Sequence, residues 1–185
     1  RLPGVGEAVP GYTTLMVKYD PQHLDYPRLC AEIQTLLEQL SEAAAQPPHR
    51  VEIPVAYWGR HGPDLDFVTR HTGLAPEEVI RRHVAGVYPV YFLGFLPGFP
   101  YLGGMDPALA TPRLESPRTS VPAGSVGIAG AQTGIYPSES PGGWRLIGRT
   151  PLALFDPLSE KPALLSPGDE VVFVPLSTAE ADYVA

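Results

Sequence analysis

The second half of the chain is interrupted by glycine and proline so often that it leaves no room for a long amphipathic helix. After Val87, short apolar runs alternate with these two residues, at positions 90–96, 121–128, 144–149, 152–155 and 170–175. The 185 residues include 19 Gly and 23 Pro, well above average usage, which favours turns and short strands. The pattern predicts a β-barrel or a β-sandwich.

The first half shows a mixed pattern of strands and helices. Residues 12–19 predict a strand. A helical stripe follows in Leu29, Ile33, Leu36, Leu37 and Leu40. Large apolar residues occupy every second position of residues 51–57, which predicts a half-buried strand, and Pro54 places that strand at a sheet edge. Two short helices are predicted next, the first ending at Gly73 and the second beginning at Pro76.

These patterns predict an α+β protein with two domains. A small α/β domain covers residues 1–85 and a β-barrel domain covers residues 86–185, with the boundary near Ala85-Gly86. Because the chain opens at Arg1 rather than Met, we allow for further residues, including one strand, before it.

Charge and cysteine content exclude several classes of function. The net charge of −7 argues against a nucleic-acid partner. The single cysteine, Cys30, cannot form an intrachain disulfide, and we expect a reducing, cytoplasmic setting. Residues 84–105 are uncharged and long enough to span a bilayer, but their prolines and glycines would break a helix, so no membrane partner is expected. The histidines show no zinc-ligand spacing, and we predict no metal site.

The densest feature is residues 88–101, which hold six aromatic rings in fourteen positions. We interpret residues 91–93 as a core strand. A regular strand cannot continue beyond them, and rings on a rigid loop can line a pocket, with a tyrosine hydroxyl as its polar group. The residues assigned to that pocket are Phe95, Pro97, Phe99 and Tyr101. A packed aromatic corner is the alternative.

Two further segments carry polar groups that suit an anionic ligand. In residues 121–136, glycine turns can leave N–H groups free for an anion or an oxyanion, although structural turns would explain the glycines as well. The polar residues there are Ser125, Gln132 and Tyr136. In residues 144–149, a strand would place Arg145, Ile147 and Arg149 on one face and Trp144 and Leu146 on the other. Arg113 and Arg118, in a proline-bounded loop, could join these arginines to bind an anion.

His83 lies at the end of the second predicted helix, where the helix dipole would favour its protonated form. A surface histidine without a ligand is the simpler interpretation.

Long motifs of the chain resemble one known family. They occupy residues 94–104, 112–113, 117–118, 121–130, 132–137, 140–144 and 147–151, with shorter matches at 53–55, 62–65, 79–80 and His83. The chain resembles the allophanate hydrolase subunit 1 family, also called the 5-oxoprolinase B subunits or Kip-type kinase inhibitors, a carboxyltransferase-domain family. Trp58 stands where a second glycine is usual in that family.

The resemblance implies a small N-terminal α/β domain followed in sequence by a cyclophilin-like barrel. It implies one part of an ATP-dependent amidohydrolase complex that opens the lactam 5-oxoproline to L-glutamate. The other subunits of that complex are called A and C, of which C is homologous to this chain. ATP, with Mg²⁺, would act at the level of the complex, with no metal site in this chain. Two alternatives remain: a module that binds and inhibits a sensor histidine kinase, and a subunit related to urea amidolyase. Whether the isolated chain is active stays open.

Residue chemistry within the matched motifs assigns the candidate site. Arg118 and Arg149 would stabilise anionic charge, and Gln132 and Tyr136 would orient the substrate. The substrate-binding residues would be Phe95, Pro97, Phe99, Tyr101, Arg113, Ser125, Trp144 and His83.

Overall fold

The chain forms two compact units, Arg1–Pro48 and His49–Ala185, in a computed structural model that describes residues 2–39, 47–182 and 184. In the first unit, strands β1 (Val5–Pro10) and β2 (Leu15–Tyr19) pair antiparallel, and helix α1 (Tyr26–Gln39) follows. Strand β1 was not predicted, because its Gly and Pro resemble a loop. Leu40, part of the predicted helical stripe, lies outside the described residues.

The second unit is a sheet that nearly closes into a barrel. The seven strands of this sheet are β3 (Arg50–Val55), β4 (Tyr88–Leu93), β5 (Pro100–Leu102), β7 (Ser125–Ala129), β8 (Gln132–Ile135), β10 (Arg145–Arg149) and β11 (Glu170–Pro175). A separate two-stranded sheet pairs β6 (Arg118–Val121) with β9 (Ser140–Gly142). The seven-stranded order is β10-β7-β8-β5-β4-β11-β3. Ala56 and Arg149 exchange two backbone hydrogen bonds of 2.8 Å, which join the two ends of the sheet. The predicted barrel-like architecture is confirmed, and Pro54 lies on a terminal strand as expected.

Two helices cover this sheet where the sequence predicted them. Helix α2 (Leu65–Thr72) ends at Gly73, which has the left-handed conformation of a helix C-cap, and α3 (Pro76–Ala85) begins with its proline. The chain ends near a short helix, α4 (Thr178–Ala181). Along the described ranges, no helix combines the length and apolar character that a bilayer crossing requires.

The division between the compact units falls earlier than the predicted boundary at Ala85-Gly86. Residues 49–85 join the larger unit because β3 pairs in parallel with β11, and Val68 of α2 and Val79 of α3 are fully buried in the core of the barrel. Parallel pairing connects segments that are far apart in the chain, so no local pattern reveals it.

Local departures from the predicted strands have simple backbone causes. The predicted strand at 121–128 is divided in two, because Gly124 turns the chain with a φ of 79° between β6 and β7. Pro100 and Tyr101 lie in β5 rather than in a loop. Residues 152–155 form no strand within the described chain, and contribute only a single bridge between Phe155 and Ala163.

His83 is fully buried, which makes the interpretation as a surface residue wrong. Its Nε2 lies 2.8 Å from the Thr133 hydroxyl, which donates to the Gly127 carbonyl at 3.1 Å and therefore accepts from the ring. The proton thus resides on Nε2, and Nδ1 accepts from the Tyr57 hydroxyl at 2.8 Å. Burial lowers the pKa of His83 from 6.5 to about 3, so the ring is neutral.

We predict that His83 makes the fold sensitive to mild acid. The unfolded chain takes up the proton near pH 6.5, but the folded chain does so only near pH 3, so stability falls as pH decreases through this window. The loss is at most about 1.4 kcal/mol per pH unit. Urea unfolding from about pH 7 to about pH 5 should show a steeper loss for wild type than for His83→Gln. Replacing the exposed His71 with Gln should leave the wild-type slope unchanged.

Burial also lowers the pKa of His61. Because His61 is present in all three proteins, the difference in slope between wild type and His83→Gln reports the contribution of His83 alone. Equal slopes for wild type and His83→Gln would contradict the assignment of a neutral ring.

Candidate functional site

An aromatic pocket of about 300 Å³ opens in the second unit, between the loop before β5 and the segments that flank β9. It brings together six of the predicted site residues: Phe95, Phe99, Tyr101, Arg113, Tyr136 and Trp144. Pro117 and residues 141–143 complete its lining. The sequence therefore located the pocket wall largely from the density of aromatic rings.

Phe99 is the centre of the aromatic wall. Its ring is 1% exposed and meets the rings of Tyr136 and Trp144 edge to face, with centroids 5.4 and 5.5 Å apart. Such pairs contribute about 0.5–1.5 kcal/mol each beyond the area they bury. The rings pack against one another, which favours a rigid wall.

Two glycines make room for these rings. A Cβ at Gly134, on β8, would lie 2.9 Å from the Trp144 ring and 3.0 Å from the Phe99 ring. A Cβ at Gly142 would overlap the Tyr136 hydroxyl. Glycine is needed at these two positions because any side chain would collide with the rings of the pocket.

The polar groups of the pocket are Arg113 and Tyr136. The Arg113 guanidinium lies 5.8 Å from the centre of the Trp144 ring, and no carboxylate among the described residues pairs with it. Burial raises the pKa of the Tyr136 phenol. A hydrogen bond with the backbone of Trp144 and the charges of Arg113 and Arg118 act in the opposite direction. The pocket thus offers one cation and one neutral hydroxyl donor to a ligand.

Arg118 lies behind the wall, and its charge is already paired. Its Nη2 donates to the Asp64 carboxylate at 2.9 Å, and its Nη1 reaches the Trp144 carbonyl at 3.5 Å. Asp64 was missed as a site residue, because an acidic residue just before a predicted helix is explained by the start of the helix. The available signal was its place in the family-matching motif at 62–65.

The other predicted residues lie outside the pocket lining. They are Pro97, Ser125, Gln132, Arg149 and His83. Arg149 donates from Nε to the Ala123 carbonyl at 2.8 Å, and Arg145 lies over the Phe67 ring at 3.4 Å. The pairing of β10 with β7 shifts register between Leu146 and Gly148, which breaks the simple alternation that placed the two arginines together. Among the described residues, no group of three His, Cys, Asp or Glu could hold a metal ion.

Comparison with known proteins agrees with the predicted resemblance. The family model for the carboxyltransferase domain, subdomain C and D, matches residues 1–165. The 5-oxoprolinase B subunit of Bacillus subtilis strain 168 is 50% identical, over 99% of this chain and 80% of that protein. The chain belongs to the 5-oxoprolinase B subunit family. The Escherichia coli O157:H7 protein of the same name is 49% identical, over 94% of this chain and 79% of that protein.

Other members and structures extend the comparison. Among solved structures, the uncharacterized protein PH0987 of Pyrococcus horikoshii superposes with a TM-score of 0.69 and 49% identity, covering 97% of this chain and 82% of that chain. Urea amidolyase of Saccharomyces cerevisiae is 34% identical over 64% of this chain and 7% of that protein. Part of this chain is thus similar to a short segment of a much longer enzyme.

Phe95 has a strained backbone at the rim of the pocket. Its φ is 67°, in the left-handed region that favours glycine, and the residue is 63% exposed. Its ring meets Phe99 edge to face at 5.6 Å. A large exposed side chain held at a conformational cost points to a role at the pocket entrance.

We predict that Phe95→Gly is more stable than Phe95→Ala by about 0.5–1 kcal/mol, because glycine relieves the left-handed strain while both variants lose the ring. Urea unfolding of the two variants measures the difference. An alanine variant as stable as the glycine variant would show that the backbone at residue 95 carries no strain.

Proposed function

We propose that this chain is the B subunit of an ATP-dependent 5-oxoprolinase and that its aromatic pocket holds the lactam substrate. The observation that carries the proposal is the Arg113 guanidinium at the wall of a small ring-lined pocket, in a chain about half identical to proteins named as 5-oxoprolinase B subunits.

The chemistry of the pocket suits 5-oxoproline, a five-membered cyclic amide that carries one carboxylate. A volume of about 300 Å³ is at the lower end of the range for small-molecule sites. The planar fork of Arg113 suits the carboxylate, and the rings of Phe99 and Trp144 suit the methylene groups of the lactam. The Tyr136 hydroxyl is a donor for the amide oxygen, where negative charge increases during hydrolysis.

The pocket does not fit a nucleoside triphosphate. It is small, and Arg113 is the one charged residue of its described lining, whereas a triphosphate with its metal ion needs several charged partners. We therefore place ATP, with Mg²⁺, at the level of the complex, largely on the partner subunits. ATP, when bound there, would supply the activation of the amide oxygen. This chain would bind the lactam and orient it.

The partners in this proposal are the other two subunits of a cytoplasmic complex, A and C, of which C is homologous to this chain. The anion-stabilising role of Arg149 and the orienting role of Gln132 stay predictions, as does the cyclophilin-like topology of the barrel. The match to urea amidolyase favours a related amide substrate as the second candidate. Inhibition of a histidine kinase also stays a prediction.

We predict that Arg113→Gln raises the KM for 5-oxoproline by about 10- to 100-fold and changes kcat less, because a charge-assisted hydrogen bond to the carboxylate is lost. The measurement is steady-state, ATP-dependent cleavage of 5-oxoproline by the chain co-purified with the A and C components of the complex. Arg50→Gln is the matched control, since Arg50 is an exposed arginine that pairs with Glu170 at 3.0 Å outside the pocket.

Two outcomes would contradict the proposal. An unchanged KM in Arg113→Gln would place the substrate carboxylate elsewhere. If wild type neither forms a complex nor turns over 5-oxoproline, the binding-module interpretation replaces the enzyme.

A further inference from the structure

We propose that Asp64 is a positioning residue, whose buried carboxylate sets the walls of the aromatic pocket. It was not among the predicted site residues, and it does not line the pocket. The proposal rests on the proposed function only for the choice of ligand in its test. The geometry of the cluster does not depend on that choice.

The Asp64 carboxylate is 9% exposed and uses both oxygens. One accepts from Arg118 Nη2 at 2.9 Å, and the other accepts from the Leu146 backbone N–H at 2.7 Å. The backbone N–H of Asp64 donates in return to the Leu146 carbonyl at 2.9 Å. The residue that precedes α2 is therefore bonded to β10 through main chain and side chain together.

The two partners of Asp64 adjoin two walls of the pocket. Pro117, on one wall, directly precedes Arg118 in sequence, and Trp144, on another, lies two residues before Leu146. Arg118 also reaches the Trp144 carbonyl at 3.5 Å. One buried carboxylate thus fixes the spacing of the two walls between which Arg113 and the ligand must fit.

This arrangement gives Arg118 a different role from the predicted one. Its charge is compensated by Asp64 behind the wall, so Arg113 remains as the guanidinium of the described lining that can meet a ligand carboxylate. Arg118 is then part of the positioning device and not an anion-binding residue.

A carboxylate is required at position 64 because both of its neighbours are donors. Asn has nearly the same size, but its amide group would present an N–H to either Arg118 or the Leu146 N–H. The guanidinium would also lose its counter-charge in a half-buried position. We expect the walls to move apart while the barrel stays folded.

The test uses Trp144 as a local probe. In a Trp58→Phe background Trp144 is the single tryptophan of the chain. Asp64→Asn should weaken L-5-oxoproline binding, followed by Trp144 fluorescence, by about tenfold or more, and should raise acrylamide quenching of Trp144. In the complex, KM should rise more than kcat falls.

The matched control is Asp106→Asn. Asp106 also accepts from an arginine, Arg82 at 3.0 Å, and from a backbone N–H, that of Ala108 at 2.9 Å, but it lies outside the pocket lining. This variant should lose stability without changing binding or quenching. If Asp64→Asn does not fold, Arg118→Lys provides the test. This variant keeps the positive charge but loses the planar guanidinium, and it should also weaken binding of L-5-oxoproline.

Wild-type binding and quenching in Asp64→Asn, with a lower melting temperature alone, would overturn the positioning role. A failure of the proposed function has a different signature. Wild type would then show neither binding nor turnover of 5-oxoproline, while the quenching difference between wild type and Asp64→Asn would still support the positioning role.

Discussion

The parallel pairing of β3 with β11 is the contact on which the rest of the second unit depends. Six residue pairs, from Arg50 with Glu170 to Val55 with Pro175, bring a strand from the first half of the chain into the barrel. The chain leaving β3 then supplies Ala56, which closes the sheet, and Asp64, which reaches β10. The pocket lies in the second half of the chain, but its support comes from the first.

Two buried polar clusters join these halves, and they differ in electrostatic character. The cluster around His83 is neutral, so it can lie in the apolar core without the desolvation cost of a charge. The pair of Asp64 and Arg118 is ionic and lies at the margin, where the Arg118 side chain is 30% exposed. Charge is thus kept out of the apolar core and lies beside the pocket.

The sequence predicted those features whose cause is local. Gly73 ended a helix, and ring density from Phe95 to Tyr101 located the pocket wall. Features with a non-local cause were not predictable. Nothing near Asp64 in sequence indicates Arg118, a partner 54 residues away, and the register shift in β10 that separates Arg145 from Arg149 depends on the neighbouring strand. The periodicity of one segment carries no information about its neighbours.

The mutual support of the Phe99, Tyr136 and Trp144 rings limits how this pocket can be changed during evolution or by engineering. A substitution at any one of them removes contacts from the other two. A change in the aromatic wall therefore lowers the stability of the fold as well as altering the pocket. Phe95 and Arg113 are exposed at the rim and each contacts one of these rings, so substitutions there disturb fewer of the contacts. Changes in ligand specificity are therefore expected first at the exposed residues of the pocket rim, and only later in the aromatic wall.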